Sequence, residues 1–548
     1  YEGASGAESL RCGEPPVRRA SGAVLAGTTF RLRSSRGDRP ALLRWCFGCA
    51  PPAAFRLRSS LGRPPVNRQI VQLFGLSMLL FATLVGFTSR WTVFEAEELK
   101  DQALNRRSLI EAQQIPRGLI RAADGTVLAR SVPKGSGQRR IFQRTYPEDN
   151  LFSHTVGYSF LERGSTGIER FRDDELTGEE NEFSSIFSEL QSEQPEGSDV
   201  TTTLDIEAQR TAVEALGGRQ GAIVAIEPST GRVRAMASSP DFNPNEVPTD
   251  RFSELNTDEE ARPVVNRATQ ANFQPGSTFK VVTAAAALDS GKFSPESIVD
   301  GASGQLVSGV PLANFGGQDF GSITLTDALT NSVNTVWGQV GEQIGRETLV
   351  EYMNRFGFNS DPALDYPADQ MNASGIRNAD LRLLDGDDGF DVGRVAIGQG
   401  GAEGQIQVTP LQMALVAAAV GNGGRLMRPR LTEKVVAPDG RVEESFEPEE
   451  QSQVMSAESA GELAAMMSRV VEEGTGTAAA LSGVPVAGKT GTAEVAGAQL
   501  NQLWFIGFAP VEDPQVAIAV TLENQPLGTQ GGQVAAPLAA QVMETLLR

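Results

Sequence analysis

The 548-residue sequence contains a single histidine and three cysteines. The scarcity of imidazole excludes most metal centres and the serine–histidine–aspartate type of catalytic site, because both depend on histidine as a ligand or general base. All three cysteines, Cys12, Cys46 and Cys49, lie in the first 50 residues. The rest of the chain can therefore form neither a disulfide framework nor a thiolate site. Any catalysis must use a base other than imidazole, and the fold must rest on packing.

Basic residues are also in the minority, with 48 Lys and Arg against 68 Asp and Glu and a formal net charge of −20. This balance argues against nucleic-acid binding, because neutralising phosphates requires a concentrated basic face. We therefore expect no nucleic-acid partner. At roughly 150 residues per domain, the length predicts two to four domains.

Residues 1–68 differ from the remainder, since they contain twelve Arg, no Lys and four acidic residues in a Pro- and Gly-rich background. This composition cannot bury enough apolar surface to fold, so we expect a disordered cytoplasmic leader. Cys46 and Cys49 have the spacing of half a zinc knuckle, but no histidine is near them, and we expect no metal there. The chain begins at Tyr1 rather than Met, and an incorrect start site would also produce such a leader.

A run of 21 uncharged residues, 69–89, follows the leader. As a helix that rises about 1.5 Å per residue, it matches a hydrocarbon core of about 30 Å. We predict a transmembrane anchor at residues 69–91, because a core helix would carry a polar stripe and Arg90-Trp91 does not resemble a signal-peptide cleavage site. Arginines precede the run and acidic residues follow it. The positive-inside rule then places the N-terminus in the cytoplasm and the bulk of the chain outside.

Beyond the anchor, we predict a smaller domain at residues 92–198 and a larger one at residues 199–548. The larger domain has strand-like runs near both ends, within 221–237 and 485–523. The helical segments predicted between them are 277–290, 325–344, 410–420 and 460–473. Strands at both ends with a helical insert predict an α+β fold in which one antiparallel sheet is assembled from the two ends.

A hydroxyl and an amine are predicted to share one helix face at the start of the segment 277–290. Pro275 and Gly276 form the turn, and Ser277 and Lys280 stand three residues apart, so their side chains project from the same side. The pair supplies a nucleophile with a base in reach, and the helix N-terminus adds positive potential for an oxyanion. Alone, this spacing is common and more often describes an exposed Ser and Lys.

Two further motifs follow in order, Ser332-Val333-Asn334 and then Lys489-Thr490-Gly491-Thr492 within a predicted strand. Together with Ser277-x-x-Lys280, the trio resembles the penicillin-binding proteins and serine β-lactamases, whose signatures are Ser-x-x-Lys, Ser-x-Asn and Lys-Thr-Gly. The anchor, the segments around Arg117-Gly118 and Gly167-Ile168-Glu169, and the large C-terminal domain resemble a class B high-molecular-mass penicillin-binding protein. Asn314-Phe315-Gly316-Gly317 is most similar to the actinobacterial penicillin-binding protein A subgroup.

The resemblance implies a penicillin-binding/β-lactamase-like transpeptidase domain at 199–548, preceded by a pedestal or dimerisation-type domain at 92–198. The residues that it assigns to catalysis are Ser277, Lys280, Ser332 and Lys489. Those that it assigns to substrate binding are Asn334, Thr490, Gly491 and Thr492. No metal or other cofactor is implied.

In the implied reaction Ser277 attacks a stem peptide that ends in D-Ala-D-Ala, with Lys280 as the base and Ser332 as a proton relay. The pKa of Lys280 must then lie roughly three units below that of a free lysine. Burial and repulsion from Lys489 both act in that direction. Backbone N–H groups of Ser277 and Thr492 would form the oxyanion hole.

The partners implied by the resemblance are peptidoglycan stem peptides, β-lactam antibiotics, the membrane and a glycan-polymerising membrane protein. Residues 92–198 are too few for a polymerase domain of their own. Two alternatives stay open: a hydrolase of the carboxypeptidase or β-lactamase type, and a non-catalytic scaffold or β-lactam sensor. The intact trio argues against a dead site.

Other noticeable features are predicted to be structural. Arg117 and Glu169 are expected to form a buried ion pair in the first domain, and His154 to be a satisfied hydrogen bonder. The acidic segment 385–391 lacks the glutamate of a calcium loop at its twelfth position, so we expect a solvated loop.

Overall fold

The computed structural model describes residues 68–90, 115–136, 140–178, 196–385, 388–401, 404–495 and 499–548. The chain divides into two compact units, residues 1–90 and 91–548. The Cys46–Cys49 pair and the leader up to residue 67 lie outside the described residues.

The first unit contains the helix Arg68–Ser89, which matches the predicted anchor. It is 22 residues long, and none of them is buried. Among the described residues, it is the helix whose length and apolar composition are sufficient to cross a membrane.

In the second unit, the N-terminal domain is built on a six-stranded sheet that also draws strands from much later in the chain. Its strands, in spatial order, are Val442–Ser445, Thr432–Val436, Asp199–Thr202, Ile120–Arg121, Val127–Lys134 and Ile141–Thr145. Asp124 and Gly125 form the turn between two of these strands, and Gly125 has a φ of +91°. Ser159–Phe160 pairs with Gly164–Ser165, and two short helices, Gly167–Phe171 and Asp173–Thr177, complete the domain.

The C-terminal domain contains a five-stranded sheet in which every neighbouring pair is antiparallel. Its strands, in spatial order, are Ala487–Val495, Leu500–Ala509, Val516–Pro526, Gly221–Ile226 and Val233–Ser239. Strands from the two ends of the domain therefore form one sheet, which confirms the predicted α+β architecture.

Both faces of this sheet are covered because its residues alternate between two apolar cores. Ile223 and Ala225 pack into one core with the helices Ile206–Leu216 and Gly531–Leu546. Val224 faces the other core, where the remaining helices of the domain pack. Those helices are Arg251–Thr257, Lys280–Asp289, Leu325–Thr330, Asn334–Ile344, Arg346–Arg355, Val392–Val395, Pro410–Gly421 and Ala457–Glu472.

Short elements connect the helices. The strands are Ile298–Asp300, Gln305–Val307, Val310–Leu312, Ser322–Thr324, Gly375–Arg377, Gly400–Gly401, Gly404–Gln407, Arg425–Met427 and Glu450–Gln453. The 3₁₀ turns are Pro244–Glu246, Gly276–Phe279, Phe315–Gly317, Ala368–Gln370 and Thr477–Ala479.

The segment 325–344, predicted to be helical, is helical except at a short break. The segment forms two helices, Leu325–Thr330 and Asn334–Ile344. Ser332 lies between them with a φ of +57°, in the left-handed region that serine seldom occupies. This break turns the Ser332 side chain out of the helical path.

The predicted Arg117–Glu169 ion pair is confirmed, with Nη2 and Oε2 3.1 Å apart, and it belongs to a larger network. Glu169 is fully buried; its Oε1 accepts from Arg144 Nε at 2.5 Å and from the Tyr146 hydroxyl at 3.2 Å. Burial alone would raise the pKa of Glu169, but Arg144 and Arg117 hold it below its ordinary value. The network is therefore a charge-paired structural element.

The prediction that His154 is a satisfied hydrogen bonder is also confirmed. His154 Nε2 lies 2.8 Å from the Pro263 carbonyl oxygen, and burial lowers the pKa of the ring to about 4. Residues 386–387 of the predicted acidic loop lie outside the described part of the chain. In the described part, Asp388 pairs with exposed Arg382 at 2.7 Å, and Asp391 accepts from the backbone N–H of Arg394 at the start of a helix.

Candidate active site

Ser277 lies on the 3₁₀ turn Gly276–Phe279, which leads directly into the helix Lys280–Asp289. Gly276 has a φ of +52°, and its N–H donates to the Gly398 carbonyl at 3.1 Å. A Cβ at Gly398 would lie 1.8 Å from the Gly276 carbonyl oxygen, so a glycine is needed there for the loop to support the turn. Ser277 is half-buried and lines a cavity of about 280 Å³.

The Ser277 hydroxyl has no hydrogen-bond partner among the described residues. Asn334, Ser332, Thr490 and Thr492 line the same cavity. A second cavity, of about 490 Å³, lies in the N-terminal domain and is lined by none of the predicted site residues. The predicted catalytic and substrate-binding residues therefore lie together at the Ser277 cavity.

The Lys280 side chain is fully buried below the cavity. Its Nζ donates to the Ser332 carbonyl at 2.8 Å and to Asn334 Oδ1 at 2.7 Å, and lies 3.3 Å from Ser332 Oγ. A neutral amine has two N–H donors and one lone pair, so these two oxygens satisfy both donors. The lone pair is then available to accept a proton from a hydroxyl.

The pKa of Lys280 is lowered well below its ordinary value, first by burial and second by the positive charge of Lys489. These are the two causes that the sequence predicts. Removal from water disfavours the charged ammonium, and within the described residues no carboxylate pairs with it.

Lys489 is also fully buried, on the opposite side of Ser332. Its Nζ donates to Ser332 Oγ at 2.9 Å and to the Thr490 carbonyl at 3.0 Å. Burial lowers its pKa to about 7. The Ser332 hydroxyl thus lies between two amines, where it can pass a proton from one side to the other.

The strand Ala487–Val495 forms the edge of the five-stranded sheet and closes the cavity. Thr490 and Thr492 line the cavity, and Thr492 Oγ1 accepts from the N–H of Gly531 at 3.1 Å. A Cβ at Gly491 would lie 2.7 Å from the Pro275 carbonyl oxygen. The glycine is therefore required for packing against the Ser277 turn, and its contact with a substrate backbone stays a prediction.

Two features of the cavity were not predicted from the sequence. Thr475 Oγ1 lies 2.6 Å from Thr490 Oγ1, and the helix Gly531–Leu546 begins at the cavity wall. The sequence Gly474-Thr475-Gly476, between a helix and a strand, is the signal that could have identified Thr475. The N-terminus of the helix Gly531–Leu546 places backbone N–H groups and positive potential beside Thr492.

The cavity wall contains amides, hydroxyls and aromatic rings but no Asp, Glu or His within the described part of the chain. In the same part, no group of three or more His, Cys, Asp and Glu is placed to hold a metal ion. The two lysines are therefore the titratable groups closest to Ser332, and acid–base chemistry at this site must use them.

Comparison with known proteins agrees with this geometry. Residues 221–544 match the family model of the penicillin binding protein transpeptidase domain, and residues 117–200 match that of the penicillin binding protein A dimerisation domain. The chain is 33% identical over 494 residues to peptidoglycan D,D-transpeptidase PbpA of Mycolicibacterium smegmatis, covering 86% of this chain and 97% of the relative. PbpA of Mycobacterium tuberculosis is 32% identical over 506 residues, covering 88% and 99%.

Solved structures are similar over most of the chain. The ceftriaxone acyl-enzyme complex of penicillin-binding protein A from M. tuberculosis has a TM-score of 0.71 at 31% identity, covering 80% of this chain and 100% of that chain. The D,D-transpeptidase domain of a peptidoglycan glycosyltransferase from Eggerthella lenta has a TM-score of 0.68 at 34% identity, covering 79% and 98%. The chain therefore belongs to the class B penicillin-binding proteins.

Proposed function

We propose that this protein is a peptidoglycan D,D-transpeptidase that cross-links stem peptides through an acyl-enzyme on Ser277, and that β-lactams acylate the same serine. The observation that carries the proposal is the position of Ser332 Oγ, 3.3 Å from Lys280 Nζ and 2.9 Å from Lys489 Nζ. Three motifs that are distant in sequence thereby meet at one cavity that Ser277 lines.

Acylation begins when Ser277 Oγ attacks the carbonyl carbon of the penultimate D-Ala and its proton moves to the neutral amine of Lys280. The tetrahedral intermediate then expels the terminal D-Ala as its C–N bond breaks. The leaving nitrogen needs a proton, which Ser332 Oγ supplies. The Lys280 ammonium formed during the attack returns a proton to Ser332 and becomes a neutral amine again. This relay replaces the histidine of other serine enzymes.

Substrate recognition is assigned to the far wall of the cavity. Thr490 and Thr492 bind the terminal carboxylate, assisted by the positive charge of Lys489 beneath them. Asn334 holds an amide carbonyl of the stem peptide. The N–H groups of Ser277 and Thr492 bind the oxyanion, a contribution of about 3 kcal/mol per donor in comparable sites.

Deacylation by an amine of a neighbouring stem peptide completes the cross-link and regenerates Ser277. We further assign the helix Arg68–Ser89 as a single-pass anchor with a cytoplasmic N-terminus and an extracytoplasmic catalytic domain. Since residues 92–198 are too few for a glycan-polymerising domain, a membrane-bound polymerase is the proposed partner. Protease added outside intact spheroplasts should cleave the catalytic domain; complete protection would contradict this topology.

The nucleophile is tested by mass spectrometry of the full-length protein after treatment with benzylpenicillin. We expect one penicilloyl adduct, mapped to the peptide that contains Ser277, and none in Ser277→Ala. A long-lived adduct supports the transpeptidase, whereas rapid release of penicilloic acid would indicate a hydrolase. A wild-type protein that forms no adduct would contradict the enzyme assignment.

A further inference from the structure

The helix Asn334–Ile344 carries Asn334 on its first turn, yet its N-cap residue, Val333, provides no side-chain cap. The missing acceptor comes from a different loop. The backbone N–H of Thr335 donates to Asn314 Oδ1 at 3.0 Å, and the Thr335 hydroxyl lies 3.1 Å from the same oxygen. Asn314 therefore caps this helix from 20 residues upstream, in the role that an N-cap side chain normally fills.

The amide nitrogen of Asn314 is also hydrogen-bonded. Its Nδ2 donates to the carbonyl oxygens of Gly301 at 2.8 Å and Gln318 at 3.0 Å. Asn314 is 4% exposed, so none of these partners would be readily satisfied by water if the amide were removed. The residue thus joins the loop that precedes the Ser332 motif to the helix that follows it.

The neighbouring residue extends this connection to the reacting groups. The Ala313 carbonyl accepts from Asn334 Nδ2 at 3.2 Å, which turns Asn334 Oδ1 toward Lys280 Nζ, 2.7 Å away. Holding Asn314 fixes Ala313, and Ala313 fixes which end of the Asn334 amide faces the amine. Lys489 is the other charged group that faces Lys280 among the described residues.

We propose that Asn314 is a positioning residue for acylation: its carboxamide caps the helix Asn334–Ile344 from the upstream loop and thereby holds Asn334 against Lys280. This inference rests on the proposed function for its kinetic readout. Asn314 lines the edge of the Ser277 cavity, but its amide hydrogen bonds go to Gly301, Gln318 and Thr335, so we assign its effect on the reaction to the position of Asn334.

The test measures the acylation of full-length protein by benzylpenicillin over a range of concentrations, which separates the acylation rate constant from the saturation constant. Asn314→Leu, similar in size but without polar atoms, should lower the rate constant roughly tenfold and leave the saturation constant nearly unchanged. Asn314→Asp keeps an acceptor for Thr335 and should retain more activity than Asn314→Leu. Leu306→Ala, on the same segment and 65% exposed, is the control and should match the wild type.

A double-mutant cycle with Thr335→Val adds a readout that a general loss of stability would not change. Because the Thr335 hydroxyl acts through Asn314, the acylation rate constant of the double variant should lie within roughly twofold of that of Asn314→Leu. Independent, multiplying effects would overturn the inference, as would wild-type acylation by Asn314→Leu or a loss confined to the saturation constant. If Asn314→Leu does not fold, the smaller Asn314→Ala, which also removes the acceptor for the Thr335 N–H, should acylate more slowly than Leu306→Ala, and equal rates would overturn the inference.

The proposed function and this inference fail in distinguishable ways. If the wild type forms no adduct at Ser277, the proposed function is wrong. If the wild type forms the adduct and Asn314→Leu forms it at the same rate, Asn314 is not a positioning residue while the function stands.

Discussion

Two regions of this molecule bury charged groups, and they do so in opposite ways. In the N-terminal domain, fully buried Glu169 is paired with Arg117 and Arg144, and its pKa stays below the ordinary value. In the C-terminal domain, Lys280 and Lys489 are equally buried but have no carboxylate partner among the described residues, and their pKa values are lowered.

The difference shows how partner choice decides whether a buried ionisable group stabilises or reacts. Pairing keeps Glu169 ionised, so it can only hold structure. Because no acid pairs with Lys280 among the described residues, burial favours its neutral amine, which is the form that can accept a proton. Each of the following predictions alters one side of this comparison.

The largest effect is expected from breaking the paired network. Glu169→Gln leaves the buried Arg144 guanidinium without a carboxylate partner, while Arg117 keeps its ion pair with Asp173 at 2.6 Å. The substitution should lower the free energy of unfolding of the N-terminal domain by about 3–5 kcal/mol. Thermal unfolding of the full-length protein measures this loss. In the fraction that remains folded, the acylation rate at Ser277 should stay within roughly twofold of wild type. Unchanged stability would show that the pairing is not structural.

The opposite experiment introduces a carboxylate next to the buried amine of Lys280. Asn334→Asp places a carboxylate where an amide oxygen now lies 2.7 Å from Lys280 Nζ. The carboxylate should raise the pKa of Lys280, so that acylation at pH 7 falls roughly 100-fold and its acidic limb moves to higher pH. Asn334→Ala is the matched control: it also loses rate, but its profile should not move upward. An unshifted profile in Asn334→Asp would contradict the need for a neutral amine.

Because Lys489 is buried, we expect the free energy of unfolding to depend on pH. Its folded pKa is about 7, against an ordinary value of 10.5. Between these values the unfolded chain binds more protons than the folded one, so stability rises with pH by roughly 1.4 kcal/mol per pH unit. Below pH 7 both states are protonated and this dependence disappears. Lys489→Met lacks the group, so wild type should gain stability relative to it from pH 7 to pH 10. Parallel stability curves would refute the lowered pKa.

The smallest effect is expected at an exposed ion pair between the N-terminal domain and the turn Ala368–Gln370 of the C-terminal domain. Arg170 and Asp369 lie 2.8 Å apart with side chains 46% and 63% exposed. Arg170→Ala should cost less than about 1 kcal/mol, because solvent screens the pair. Thermal unfolding of Arg170→Ala, measured in parallel with Glu169→Gln, provides the reference value for an exposed pair. Similar losses of stability in the two variants would contradict the distinction between buried and exposed ion pairs.

The sequence predicts the features that depend on local pattern. Pro275-Gly276 before an apolar helix places Ser277 on a turn, and alternating or apolar runs at both ends of the C-terminal domain predict its sheet. Lysine burial was predictable in direction because Phe279 and the helix after it are apolar. The meeting of the three motifs followed from resemblance to a family, since spacing alone does not specify which loops pack together.

Features that depend on tertiary contacts were missed. The left-handed backbone of Ser332 is one such feature, which helix propensity over residues 325–344 does not reveal. The strand Thr432–Val436 pairs with Asp199–Thr202 across more than 200 residues, so no local signal assigns it to the first sheet. Asn314 caps a helix from a separate loop. Domain limits and site roles taken from the resemblance stay predictions.

The most direct test of this account is the acylation rate of wild-type protein by benzylpenicillin as a function of pH, followed as the mass of the Ser277 adduct. If a neutral Lys280 accepts the serine proton, the rate reaches its plateau well below pH 10.5, the ordinary pKa of lysine. A rate that keeps rising through pH 10 with the titration of an ordinary lysine would contradict the account.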